Sequence, residues 1–468
     1  MRKTKILLLS PPFVKHYMRN ARCDFVSNSS TQWYPIWLGY CGALLEKKKY
    51  QVRLIDAPAE DLTHDQVMGR FLDFKPDLLV VYTGKLSEEN DIQFTDRLLD
   101  RWACSAVLVG PFFSIDPERV LAASKKVSLG ITGEFEFPIL EYLEGKNVSN
   151  ISNFISKQKG EIHSNPPRPY LTQAELDSIP FVSEFLNRHA PFKFYRTTSE
   201  PYPFMDLMTG RGCQWGQCTF CLWVHSFIKG RVYQTRSFDS VMEEIIFVER
   251  HLPWFRSIMI QDDTFPAERA REFAQRKIEK GLNLSWSCYA RGNIDKETLD
   301  IMARSNCRNL HVGFESGSGA ILKNIKKGIT KQRMTRFARD AKQAGLKIHG
   351  DFAIGFPGET RESIKSTIDW ACSIRPYTAQ FQLMIPFPGT PFYDQLRKEG
   401  LMMNDAPNYP ELSWDEMERW AKKAYIKFYL CLPFLRTALK HPRDLIFNKA
   451  KTYMNAIPSI FWRKWHVR

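Results

Sequence analysis

Leu78-Leu79-Val80-Val81-Tyr82 is an unbroken apolar run, and runs like it recur along the chain between stretches of helical periodicity. A short segment with no polar face belongs to a strand covered on both sides, as in a parallel sheet between helices. In the first 140 residues such runs fall at 5–9, 51–55, 78–82, 106–109 and 127–131, with helical patterns at 37–45 and 65–73. This alternation predicts a doubly wound α/β sheet with right-handed crossovers. Ligands of such sheets bind beyond the carboxyl ends of the strands. Those ends carry Ser10 and Pro11, Thr83 and Gly84, Gly110 and Pro111, and Gly133 and Glu134. Most are small, which lets a large flat ligand approach the backbone, although small residues also serve tight turns. No GxGxxG follows the first strand, which argues against a dinucleotide.

A second series of the same kind begins near residue 204. Apolar runs at 204–208, 257–260, 284–289, 309–314, 348–354 and 381–385 alternate with helices, several with a capping residue such as Asp295 or Thr330. Six βα units are too few for a closed eight-fold barrel, so a partial (β/α)6 TIM-type barrel is expected. The polar, Pro-rich stretch between the two series reads as a connector. The expected division is 1–145, an α/β sheet domain; 146–200, the connector; 201–400, the partial barrel; and 401–468, a basic helical extension.

Barrel sites lie at the C-terminal strand ends. Four unusual features fall on that rim: a cysteine loop, Asp262-Asp263, Glu315, and the run Gly355–Glu359. The loop places Cys213, Cys218 and Cys221 close together. Three thiolates can hold a [4Fe–4S] cluster while leaving one iron open.

These motifs resemble the radical S-adenosylmethionine (SAM) superfamily, in which a three-cysteine loop follows the first strand of a partial barrel. The resemblance implies a cluster on Cys213, Cys218 and Cys221, with SAM on the open iron cleaved to a radical that takes hydrogen from an unactivated carbon. It implies SAM contacts from Phe220, Asp262, Asp263, Glu315, Ser316, Gly355 and Glu359. Arg291 could pair with the SAM carboxylate or face solvent. Pro388-Gly389-Thr390-Pro391 is similar to the cobalamin-binding branch. The first sheet would then be a Rossmann-like cobalamin domain, with contacts from Ser10, Pro11, Thr83, Gly84, Gly110, Pro111, Gly133 and Glu134. The loop Ser10–His16 lacks the D-x-H-x-x-G motif, so cobalamin would bind without a histidine ligand and His16 is an ordinary loop residue. Within the branch, the segments around Cys218 and Asp262 look closest to enzymes associated with hopanoid lipids and to anaerobic magnesium-protoporphyrin monomethyl ester cyclases. The expected reaction is methylation of an apolar or lipid-like substrate; the alternative is cyclisation or rearrangement. A reductant such as flavodoxin or ferredoxin is implied. The family's C-x3-C-x2-C is C-x4-C-x2-C here, which predicts a changed loop path and the same three ligands.

Charge and cysteine usage bound the rest. The net charge of +15 raises nucleic acid, an anionic membrane or an acidic substrate as partners. From Lys422 onward the chain carries eleven Lys and Arg against the single acid Asp444, interleaved with aromatics. That tail reads as a packed helical cap, with peripheral membrane contact as the reading a lipid substrate would favour. The remaining cysteines form no disulfide framework, which fits a reducing cytoplasm. The rival from another class is a basic zinc protein in which His225 completes a Cys3His site. Zinc would leave the six βα units and the rim residues unexplained, so no nucleic-acid partner is expected.

Overall fold

The computed structural model describes residues 3–439, apart from 16, 20–23, 28–30, 198, 433, 435, 437 and 438. His16, Cys23 and the tail from Lys440 onward, on which the sequence raised expectations, lie outside the described residues.

The first sheet has seven strands: β1 (Lys5–Ser10), β2 (Gln51–Asp56), β3 (Leu78–Tyr82), β4 (Ser105–Val109), β5 (Leu129–Ile131), β6 (Phe154–Gln158) and β7 (Glu161–Ser164). Their spatial order is β2-β1-β3-β4-β5-β6-β7. The first five are parallel, and every residue of Leu78–Tyr82 is buried. The order reverses between β1 and β3, the crevice where such sheets take ligands. Strands β6 and β7 come from the stretch that reads as a connector, and they extend the sheet antiparallel. Asn165–Pro169 follows them without regular structure.

The helix Ile36–Lys47 buries ten consecutive residues from Ile36 to Leu45. Gly42 makes this possible on one side: a side chain there would collide with the Phe185 ring of the helix Val182–His189. Apolar burial is continuous from this helix through both sheets.

The second sheet is a six-stranded open barrel. Its strands are β8 (Phe204–Leu207), β11 (Ser257–Ile260), β12 (Ser285–Ala290), β13 (Cys307–Glu315), β14 (Lys347–Ile354) and β15 (Thr378–Leu383), in sequence order and all parallel. A hairpin of β9 (Gly210–Cys213) and β10 (Val232–Thr235) is inserted after β8. On the outer face Phe314, Phe352 and Phe381 stack at 5.4 and 5.2 Å, under Trp370 of the helix Arg361–Ile374. The β15 edge is covered by the helix Trp414–Tyr429: the Tyr429 hydroxyl accepts from Ala379 N (3.1 Å) and donates to Ala379 O (2.8 Å). At the opposite edge, Tyr34 N donates to Asp206 of β8 (3.0 Å) and the Trp33 ring lies 5.5 Å from Phe204 and 6.0 Å from His311. A segment of the first half of the chain thus packs against the barrel.

Candidate active site

The cysteine loop hangs from the β9–β10 hairpin. Cys213 is the last residue of β9, and Cys218 and Cys221 follow in the loop before the short helix Trp223–Ser226. All three thiols are half-buried and free. Gly212 (φ +89°) and Gly216 (φ +58°) take left-handed conformations, and any side chain on either would collide with backbone carbonyls of the opposing arm, at Val232 and Gly230.

The aspartate pair anchors this hairpin. Asp262 is buried and its carboxylate accepts from Thr209 N, Thr209 Oγ1 and Tyr233 Oη, each at 2.7 Å. Burial raises its pKa, and Arg269 and those donors pull it back. Asp263 accepts from Gly212 N at 2.8 Å, one residue before the first cysteine.

Two cations stand beside the thiols. Arg291 is half-buried, donates to the Lys327 carbonyl (2.5 Å) and lies with its guanidinium 4.6 Å over the Trp215 ring. Lys327 is buried and pairs with Glu315 at 2.8 Å. Burial would lower the Lys327 pKa, but Glu315 and Cys218 outweigh it and the ammonium is raised. Burial lifts the Cys218 thiol, with Lys327 and Arg291 opposing; burial and the neighbouring Cys218 push Cys221 up to about 12. Glu315 sits at φ +63°, at the register shift between β13 and β14, and its carboxylate lies over Gly313, where a Cβ would collide with it.

The far wall is apolar. The Phe220 ring lies 5.0 Å from Phe356, next to Gly355 (φ +108°). Glu359 is buried and accepts from Gly355 N (3.3 Å) and the Ser363 hydroxyl; burial raises it to about 7. Ser316 turns its hydroxyl to Thr367 (3.2 Å) and to Ser318 N (3.1 Å).

The first sheet faces this rim in two halves. Over β1 and β3 the chain supplies its own polar cover. Arg19 pairs with Asp91 (2.5 Å) and donates to Pro11 O (2.6 Å), Gly84 N donates to Asp91 (3.1 Å), and a side chain on Gly84 would collide with Tyr17. Ser10 is buried here, and Thr83 donates to Val109 O (3.2 Å). Beyond β4, Gly110 and Pro111 lead into Phe112 of an apolar cluster with Leu222 and Phe387, packed by Ile115 and Ile385, and after β5 Gly133 N donates to Ser114 Oγ (2.9 Å). The Tyr82 hydroxyl is buried without a partner among the described residues, and a Cβ on Gly110 would lie 3.5 Å from its ring. Glu134 is turned away from the sheet: with Glu136 it grips Arg211 of β9, each at 2.7 Å, and Arg211 also lies 4.6 Å over Trp37.

Residues 207–371 match the Radical SAM superfamily. An uncharacterized methyltransferase of Pyrococcus horikoshii is 28% identical over 92% of this chain and 93% of its own length. Cytidylyl-2-hydroxyethylphosphonate methyltransferase of Streptomyces wedmorensis is 25% identical over 86% of this chain and 83% of that protein. Among solved structures, the cobalamin-dependent SAM radical enzyme OxsB superposes with a TM-score of 0.73 at 16% identity, covering 97% of this chain and 72% of that one. The barrel and its cysteine hairpin thus carry a radical SAM domain.

The residues present fit the superfamily's cluster. Cys213 and Cys218 lie close enough to Cys221 to raise its thiol, and two cations beside Cys218 offset the charge the thiolates carry as ligands. The Cys3His zinc alternative fares worse. His225 Nε2 donates to the Cys218 carbonyl (3.0 Å), which leaves only Nδ1 for a metal. Among the described residues no three His, Cys, Asp or Glu side chains are gathered tightly enough for a single ion. Sequence reasoning missed Lys327, Trp215 and Arg211. Trp215 had a signal, because it lies within the lengthened cysteine spacing; Lys327 and Arg211 had none, since their partners are distant in sequence.

Proposed function

We propose that this protein is a cobalamin-dependent radical SAM enzyme that methylates an unactivated carbon of a substrate held between the first sheet and the barrel rim. The observation that carries this is the facing of two built sites: the cysteine hairpin with Arg291 and Lys327 on one side, and the β3–β4 ends on the other, where the Tyr82 hydroxyl beside Gly110 is buried without a partner among the described residues. When bound, an iron–sulfur cluster with SAM supplies one-electron bond cleavage, and cobalamin supplies a methyl group. Cys213, Cys218 and Cys221 would hold the cluster. Asp263 and Asp262 fix the hairpin that carries it. Phe220 and Phe356 offer a flat apolar wall, and Glu359 a carboxyl raised to about 7 behind it. Gly110, Pro111 and Gly133 leave room for cobalamin. The cluster of Phe112, Leu222, Ile385 and Phe387 excludes water between the sheets and suits an apolar carbon skeleton. No described helix is long and apolar enough to cross a membrane.

Anaerobic purification should give a brown protein containing iron and sulfide. On reduction it should release 5′-deoxyadenosine from SAM, and Cys213→Ala, Cys218→Ala and Cys221→Ala should each abolish this. A product heavier by one CH2 supports methylation; an unchanged mass or a loss of hydrogen would place the protein with the cyclase type instead.

A further inference from the structure

Closed βα barrels fill their interior with layers of branched apolar side chains. The inner face of this open barrel is polar instead. Phe314, Phe352 and Phe381 point outward beneath Trp370, so alternation turns the residues between them inward. Register sets these side by side: Tyr289 with His311, His311 with His349, Gly313 with Asp351, and Asp351 with Gln380. On the N-terminal side the interior is closed. Buried Glu200 accepts from the Ser287 hydroxyl and lies 3.3 Å from His311 Nε2, and the Trp33 ring lies 6.0 Å from His311. Nearer the rim the inner face opens. His349 Nδ1 meets Thr378 Oγ1 at 2.7 Å, and its Nε2 lies 3.4 Å from Asp351, whose side chain is 26% exposed. Tyr289, Gln380 and Gln382 are also half-buried, whereas Cys288, Ala290, Ala379 and Phe381, which alternate with them, are buried. Neither glutamine amide has a hydrogen bond among the described residues. This polar layer leads into the site: Arg291 is two residues beyond Tyr289, Glu315 two beyond Gly313, and Ile385 of the apolar cluster three beyond Gln382.

We propose that this layer binds the polar head of the substrate, and that the head carries N–H or O–H donors, as an amine or a hydroxyl does, with no carboxylate or phosphate. The Asp351 carboxylate and the two amide oxygens are acceptors for such a head. An anionic head would meet Asp351, whose imidazole neighbour is already engaged with it and with Thr378. Lys347, on the same face, stands at the far end of β14 with its ammonium 4.3 Å from the Tyr377 ring. A buried charge without a partner is strongly disfavoured. The substrate is then amphipathic, with its apolar skeleton at the Phe112, Leu222 and Phe387 cluster and its donors inside the barrel. This inference rests on the function proposed above and names the substrate class for that same site.

The test uses the full chain purified anaerobically and three probes that share a chain and differ in head: hexylamine, 1-hexanol and hexanoate. Binding of each is measured by titration calorimetry to the parent and to Asp351→Asn and Gln380→Leu. In the parent, hexylamine and 1-hexanol should each bind about tenfold or more tightly than hexanoate. Asp351→Asn should weaken hexylamine by about tenfold and 1-hexanol by less, because only the amine loses a charge-assisted bond. Gln380→Leu should weaken both by a similar, smaller factor. Hexanoate binding as tightly as either of the others would overturn the proposal. So would hexylamine affinity within about twofold of the parent in both variants, or no binding of any probe. Should one variant fail to fold, seen in its melting temperature, the other variant and the parent ranking decide. A parent protein that holds iron but cleaves no SAM on reduction would sink the radical SAM reading, and the ranking of the probes would still judge the barrel interior by itself.

Discussion

Buried carboxyls are the residue-scale signature of this chain. Burial lifts Asp206 to about 8 and Asp56 and Glu359 to about 7, in each case against hydrogen bonds that favour the anion. In the unfolded chain these groups titrate near about pH 4. The folded form therefore holds their protons over a window in which the unfolded form has released them. Stability from these groups is complete below the unfolded values and is lost as pH rises through about 7 to 8. Asp206→Asn keeps an acceptor for Tyr34 N, presents an NH2 to Gln261 that a flipped Gln261 amide can accept through its oxygen, and removes the titration. Its urea midpoint should therefore fall less steeply than the parent's between about pH 5 and pH 8. Parallel slopes would show that Asp206 ionises alike in both states. None of this is legible in sequence, where Asp206 is one polar letter in an apolar run. Glu315 was legible for the opposite reason: a carboxylate ending an apolar strand demands a partner, though the sequence did not say that the partner is Lys327.

At the scale of elements, the βα periodicity located the eleven parallel strands of the two sheets, because apolar runs and capping residues are local signals, but not the antiparallel β6 and β7 within the expected connector. The hairpin β9–β10 was missed. Gly210-Arg211-Gly212-Cys213 and Val232-Tyr233-Gln234-Thr235 have little apolar pattern, and their pairing is fixed by tertiary anchors, Asp262 on Tyr233 and Asp263 on Gly212. Two arms that read as loop in sequence thus position the cysteines. Gly216, within the lengthened spacing, is left-handed at φ +58°. Left-handed backbone costs a non-glycine residue about 1–2 kcal/mol, and here a Cβ would also meet the Gly230 carbonyl. Gly216→Ala should accordingly lower the melting temperature and the iron bound per chain together. The same substitution at Gly281, which has φ +65° but nothing within 4 Å of a Cβ, should lower only the melting temperature, and by less. Equal iron content in the two variants would show that the loop path does not depend on Gly216.

On the scale of the whole molecule, the two halves are held in register by a charge cluster that lies inside the protein. Arg211 is two residues before Cys213, and Glu134 and Glu136 follow β5 of the other sheet. All three are buried, with Trp37 and Tyr40 rings against the guanidinium. The family resemblance placed Glu134 among the cobalamin contacts; its carboxylate is engaged by an arginine 77 positions later, a partner no local pattern reveals. Such a cluster has little net stabilising value over an apolar replacement, but removing one partner leaves uncompensated charge in the core. Arg211→Met should therefore cost about 3–5 kcal/mol in urea unfolding. The triple variant R211M/E134Q/E136Q removes every charge at once, and it should recover a large part of that loss despite carrying two more substitutions. The coupling between the three positions, obtained by comparing the single, double and triple variants, should exceed about 1 kcal/mol. Additive losses would mean that the glutamates find other partners when Arg211 is gone, and that the register of the two halves is set by other contacts, such as those of Trp37 with Trp223 and Phe227 and of Trp33 with Phe204.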